Sequence, residues 1–165
     1  MPIDYLAQSE KYRPEVIETL LVGEAPPSNG KTYFYLPTTV RSSVPIDSNR
    51  SLPATIFYHY FQRLPADEEE YAELLLKLKE LRVFLVDIVD EPIRVRNSPD
   101  GIRRIIEAIP NLRGNLESRN IDINEEQIVF LLARKTYQKW IRGAFPKSRL
   151  VTWIDFRMRR WSKGT

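Results

Sequence analysis

The sequence predicts an α/β fold in three layers. Two observations carry this. Three runs of strand length, Val16–Val22, Val83–Val89 and Gln127–Ala133, are mostly apolar, without the strict alternation of a half-exposed strand. Such runs read as strands covered on both faces, as parallel strands are beneath two helical layers. The segments between them carry apolar residues at helical spacing, and strand, crossover, strand alternation implies right-handed connections across a parallel sheet.

The elements follow in chain order. The first run stops at Gly23, which permits a sharp exit. A helix is predicted over Leu52–Phe61, with Pro53 at an early position, and a stronger one over Asp67–Leu81. The latter opens on Asp67-Glu-Glu-Glu, favourable at a helix N-terminus, and places Tyr71, Leu74, Leu75 and Leu78 on one stripe. After the second run, Ser98-Pro99-Asp100 reads as an N-cap followed by proline at the first helical position. Ile102, Ile105, Ile106 and Ile109 follow at helical spacing until Pro110 forces a break. A shorter helix is expected from Asn111 to Arg119, ended by Asn120. Beyond the third run, Lys135–Arg142 reads as a helix closed by Gly143, and Leu150–Trp161 as a basic helix or a short strand leading into one.

A chain of 165 residues with 42% hydrophobic and 11% aromatic content builds one core, so a single domain is expected over 1–165. The absence of cysteine removes disulfides, thiolate zinc sites and thiol nucleophiles, and His59 is the lone histidine. Neither a metal nor a cofactor is expected. The chain opens without a basic stretch leading into an apolar one, and no run approaches the ~18 apolar residues of a membrane helix. No membrane association and a cytoplasmic location are therefore expected, and the oligomeric state is left open. Charge is unevenly placed. From Arg134 to Thr165 there are ten Lys or Arg against Asp155, a net +9, while the remaining 15 basic and 21 acidic residues give −6. This basic C-terminal segment suggests a polyanionic partner.

In open parallel sheets ligands bind beyond the carboxyl ends of the strands. The first such loop runs from Gly23 to Tyr35. Glu24 stands at the strand's lip, Pro26 and Pro27 stiffen the path, and Ser28-Asn29-Gly30 turns the chain back to bring Tyr33-Phe34-Tyr35 over the crevice. A carboxylate facing an aromatic plate suits a flat ring with a bond to be broken at its edge. In an extended segment alternate side chains point opposite ways, so at least one of these three aromatics belongs to the core. No glycine-rich phosphate loop is present. Asp87 lies in an otherwise apolar strand. An unpaired ionised carboxylate in a core costs several kcal/mol, so Asp87 turns to the crevice, accepts loop amides or is protonated. His59 reads as an ordinary helix residue.

Leu20-Leu-Val-Gly-Glu-Ala-Pro26 resembles the first motif of the uracil-DNA glycosylase superfamily, and Phe84-Leu-Val-Asp-Ile-Val-Asp-Glu-Pro92 resembles its base-reading strand. Ala144-Phe145-Pro146 is similar to a late segment of uncharacterised bacterial glycosylase-like proteins. The resemblance implies an α/β/α sandwich around a four-stranded, mainly parallel sheet. It also implies that Glu24 handles the attacking water, that an aromatic among Tyr33, Phe34 and Tyr35 stacks on a flipped base, that Gly23, Ala25 and Pro26 shape the pocket, and that Asp87 meets the base. Two departures stand out. Asp87 replaces the expected asparagine, and Phe145-Pro146-Lys147-Ser148 stands where the family has a histidine that stabilises the leaving base. Lys147 or Arg149 would have to substitute for it electrostatically.

The functional expectation is hydrolysis of the N-glycosidic bond of a damaged or deaminated base in DNA. Lys147, Ser148, Arg149, Arg157, Arg159 and Arg160, with Lys163, would grip nucleic-acid phosphates. Trp153 and Phe156 are expected to dock on the core. The alternatives are a catalytically inactive nucleic-acid or nucleotide binding module of the same fold, or a cleft for a small aromatic metabolite.

Overall fold

A computed structural model describes residues 2–41 and 51–157. Four strands form one all-parallel sheet: β1 (Thr19–Gly23), β2 (Val83–Asp87), β3 (Ile128–Leu132) and β4 (Arg149–Thr152), in the order β2-β1-β3-β4. The chain moves one way from β1 to β2, then reverses to β3 and β4. The switch point therefore lies between β1 and β3.

The helices are α1 (Tyr5–Glu10), α2 (Leu52–Phe61), α3 (Glu68–Glu80), α4 (Pro99–Ala108), α5 (Leu112–Ser118) and α6 (Gln138–Ala144). Phe57 of α2 and Tyr71 of α3 meet edge to face, 5.0 Å apart, in one helical layer. On α5, Arg113 donates to the Ala144 carbonyl and lies over the Phe145 ring, which in turn packs against Phe130 of β3. Helices thus cover both faces, and every residue of β2 and β3 is buried. This is the three-layer α/β sandwich expected from unalternating apolar strands.

Local signals act as the residue types dictate. The side chains of Ser51, Asp67 and Ser98 each accept the amide three residues on and cap α2, α3 and α4. Asn120 takes a left-handed conformation (φ 56°) after α5, a role asparagine tolerates without a Cβ-branched penalty. Two expectations shift. β1 begins at Thr19 rather than Val16, whose side chain is left exposed. Gly143 does not close the last helix. Residues 135–137 form a 3₁₀ turn and α6 runs through Gly143 to Ala144, ending where buried Phe145 is followed by Pro146. The short helix α1 was not foreseen; its start is capped by Asp4. The C-terminal stretch resolves as strand β4 followed by helical residues 153–157.

Candidate active site

The register of the two strands at one sheet edge places Gly23 directly opposite Asp87. Pairing continues past the strand ends: Ile88 and Val89 donate their amides to the Gly23 and Glu24 carbonyls at 2.9 and 3.1 Å. Glu24 is thereby held at the exit of β2, while its own carboxylate reaches the other way and accepts the Ala133 amide at 3.3 Å, just past β3. Glu24 thus spans the switch point. A Cβ on residue 23 would fall 2.6 Å from an Asp87 carboxyl oxygen, so glycine here leaves room for the Asp87 side chain.

A cavity of about 290 Å³ opens at this place, near the lower bound of small-molecule sites. Glu24, Ala25, Pro26, Tyr33, Phe34 and Asp87 of the expected set line it. The returning loop is built as its residues suggest. Asn29 Oδ1 accepts the amides of Lys31 and Thr32, and Gly30 takes φ 71°. Thr39 Oγ1 then accepts the Tyr33 amide and donates to the Tyr33 carbonyl, while Tyr71 donates to the Phe34 carbonyl.

Tyr35 departs from its expected place. It does not line the cavity. Its ring stacks on Phe84, 5.5 Å away, and its hydroxyl accepts the Leu85 amide at 2.7 Å. Because β2 is an edge strand, that amide faces away from β1 and needs a partner, which Tyr35 supplies.

Arg96, in the loop after β2, was missed by sequence reasoning. Its guanidinium lies 3.8 Å from a Glu24 oxygen and donates to the Ala25 carbonyl at 3.4 Å. The only available signal was a cationic pair, Arg94 and Arg96, in the exit loop of an otherwise apolar strand. Trp153 packs against the core as expected and also forms cavity wall beyond β4, and its indole N–H finds no acceptor among the described residues. Ser51, Leu52 and Pro53, at the start of α2, complete another part of the wall.

Burial dominates the titration of both acids. It pushes the Asp87 carboxyl up to about 7, helped by Asp90 and Glu24, with Arg96 and Arg119 pulling the other way. Burial also raises Glu24, opposed by Arg96, the Ala133 amide and Arg134. The pair is therefore one carboxyl group that exchanges its proton near neutrality and one whose upward shift is opposed by three supports for its charged form.

The remaining expectations divide. Lys147, Ser148 and Arg149 lie at the amino-terminal end of β4, a strand length of roughly 13 Å from the carboxyl ends that hold the cavity. The Lys147 amide donates to Glu125, ahead of β3, and Ser148 spends its amide and hydroxyl on the Phe145 carbonyl. Neither Lys147 nor Arg149 replaces the missing histidine, because a parallel sheet sends the start and finish of β4 to opposite ends. The described part of the basic segment likewise does not form one face. Arg134 stands at the cavity end and Lys147 at the other. Arg157 packs over the Tyr58 ring at 4.9 Å on α2 rather than projecting from the surface. Arg159, Arg160 and Lys163 lie outside the described residues. His59 is buried, stacked on Phe156 at 3.7 Å, with Nδ1 2.6 Å from the Phe156 carbonyl oxygen; Phe156 docks on the core as expected.

Gly101, on the first turn of α4, faces the Arg96 loop so closely that a Cβ would lie 2.3 Å from the Val95 carbonyl oxygen. The obstacle is backbone, which cannot rotate aside. Gly101→Ala is expected to lower stability by about 1–3 kcal/mol despite alanine's better helix propensity, and to displace Arg96 from Glu24. Urea denaturation measures this, and a variant as stable as the parent would refute the contact.

The fold and site together define an α/β sandwich with a two-carboxyl, aromatic-walled cavity beyond the carboxyl ends of β1 and β2. Compared with protein-family models, curated proteins and solved structures, the chain matches none. Among the described residues no group of three or more His, Asp or Glu side chains is placed to hold a metal ion, and no helix is long and apolar enough to cross a membrane.

Proposed function

We propose that the protein hydrolyses the N-glycosidic bond of a nucleobase seated in this cavity. The observation that carries the reading is the convergence of Glu24, Asp87 and the Phe34 ring, distant in sequence, on one cavity beyond the carboxyl ends of β1 and β2. Ionised Glu24 accepts a proton from water as the water oxygen forms its bond to the anomeric carbon. The bond from that carbon to the base nitrogen breaks, its electron pair stays with the base, and protonated Asp87 donates the proton the leaving base needs. Solvent then returns a proton to Asp87 and removes one from Glu24. In this scheme Asp87 takes over the work of the histidine that the resembling family carries. Glycosylase likeness, and DNA as the source of the base, belong to this proposal.

The test is incubation with labelled single- and double-stranded oligonucleotides carrying uracil, hypoxanthine or xanthine. An abasic product is expected from at least one, falling roughly 10²–10⁴-fold in Glu24→Gln. The rate should decline as pH rises through about 7, where Asp87 loses its proton. No abasic product from any substrate, or undiminished activity in Glu24→Gln, would overturn it. Tight binding without cleavage would favour the second reading, a binding module, which the lack of any residue from 145–149 at the cavity supports.

A further inference from the structure

A second cavity of about 170 Å³ opens beside the first, between the exit loops of β2 and β3. Glu24, Arg96 and Trp153 belong to the walls of both. The chambers differ in charge. The first holds the carboxyl groups of Glu24 and Asp87 with Tyr33, Phe34 and prolines. The second is faced by Arg96, Arg134, Asn97 and Thr136, with Glu24 as its sole acid among the described residues. Arg134 makes no ion pair within 4.0 Å among the described residues, so its guanidinium is not spent on a protein carboxylate. It acts at longer range on the Glu24 carboxylate and the Tyr137 hydroxyl.

Resting on the glycosidic reading above, we propose that this second chamber is a phosphate subsite. The ligand is then a nucleotide unit, its base in the first chamber and its phosphate on Arg134 and Arg96 in the second. Guanidinium groups present forked donors that match phosphate oxygens, and the Asn97 amide and Thr136 hydroxyl add neutral donors. Glu24 and Arg96 are shared by both chambers, whereas Arg134 faces only the second, so the added cation there sets the ligand's direction. Glu24, in the dividing wall, then faces the sugar that joins the two parts, where the bond to be broken lies. Neither the charge balance of the chain nor its motifs indicated this. Arg134 stood only as the first of ten basic residues in the C-terminal segment.

The phosphate has two sources, a free nucleotide or a nucleic-acid strand. Equilibrium binding on Glu24→Gln, which preserves shape while removing turnover, distinguishes them. Uridine, inosine and xanthosine are compared with their 5′-monophosphates and with trinucleotides carrying each base centrally. For at least one base, the phosphorylated ligand is expected to bind tenfold or more tightly than the nucleoside, with a steeper dependence on salt. Adding Arg134→Gln should erase that gain and leave nucleoside affinity unchanged. A gain already present in the monophosphate identifies free nucleotide, and one seen only in the trinucleotide identifies a strand. Equal affinity for nucleoside, monophosphate and trinucleotide overturns the subsite alone. So does an Arg134→Gln variant that weakens nucleoside and nucleotide alike, since Arg134 would then act only by orienting residue 24. Failure of every ligand to bind overturns the subsite and the glycosidic reading together.

Discussion

Asp87→Asn is expected to stabilise the protein at pH 8 by up to ~4 kcal/mol and, at the same time, to abolish turnover. The stability figure follows from linkage. The Asp87 carboxyl has an ordinary value of 3.8 and is pushed to about 7 in the fold. Between those limits the folded state holds a proton that the unfolded chain has released, so raising pH favours unfolding. The contribution is fully present below about pH 4 and is lost as pH rises through about 7. Each unit of separation is worth about 1.4 kcal/mol, which sets the upper bound. Asparagine keeps the shape without ever ionising, so it escapes this penalty at high pH. Urea denaturation of both chains at pH 4 and pH 8 isolates the effect: the stability difference between them should widen toward high pH. A difference that does not change with pH would mean that Asp87 is solvated like any surface acid. The activity half of the prediction runs opposite, because the amide cannot deliver a proton to a leaving base. A residue that weakens the fold and serves the proposed chemistry would be a strained functional site.

Tyr35 is expected to matter for folding and hardly at all for ligand. Removing only its hydroxyl, in Tyr35→Phe, leaves the Leu85 amide on the outer edge of β2 without its acceptor. An unsatisfied buried donor costs about 1–3 kcal/mol. Tyr35→Ala also removes the ring from among Tyr12, Phe34 and Phe84. Truncation of a buried aromatic costs roughly 3–5 kcal/mol, a large part of the 5–15 kcal/mol that holds a typical domain together. Below its unfolding temperature, Tyr35→Phe should bind the ligands of the wild-type chain unchanged, whereas Phe34→Ala should weaken them. Thermal unfolding together with nucleoside titration reads both. A Tyr35→Phe chain as stable as the parent but with weakened binding would return Tyr35 to the cavity wall and contradict the edge-capping role.

Tyr33, Phe34 and Tyr35 also mark how far local sequence reaches. Alternation in an extended segment says that such neighbours cannot all face one cavity. Which one turns away depends on what lies behind the loop, here the open edge of β2 with an amide to satisfy. Asp87 was legible for the opposite reason. A carboxyl group inside an apolar run is costly wherever the strand lies, so the residue announces an unusual environment before its neighbours are known. Glu24 was legible because Gly23 and two prolines fix the exit of β1 from within a few residues.

Arg96, Arg134 and Trp153 carry no such mark. They sit in aperiodic loops or just past a strand, where neither hydrophobic spacing nor capping chemistry constrains a side chain. Lys147 and Arg149 show the converse error, since nearness in sequence to Arg134 suggested one basic face. By itself the sequence determined the period of each element, the cap that starts α4, the acid at the exit of β1, and the one acid, Asp87, that an apolar strand should not hold. Tertiary structure alone decided which loops share a wall. In a parallel sheet every strand returns in the same direction after a long crossover, so residues that meet at the carboxyl edge are separated by scores of positions. Their meeting depends on strand order and register, with Gly23 opposite Asp87 and Leu132 opposite Thr152, and these are set by packing of the whole core rather than by any local run of residues.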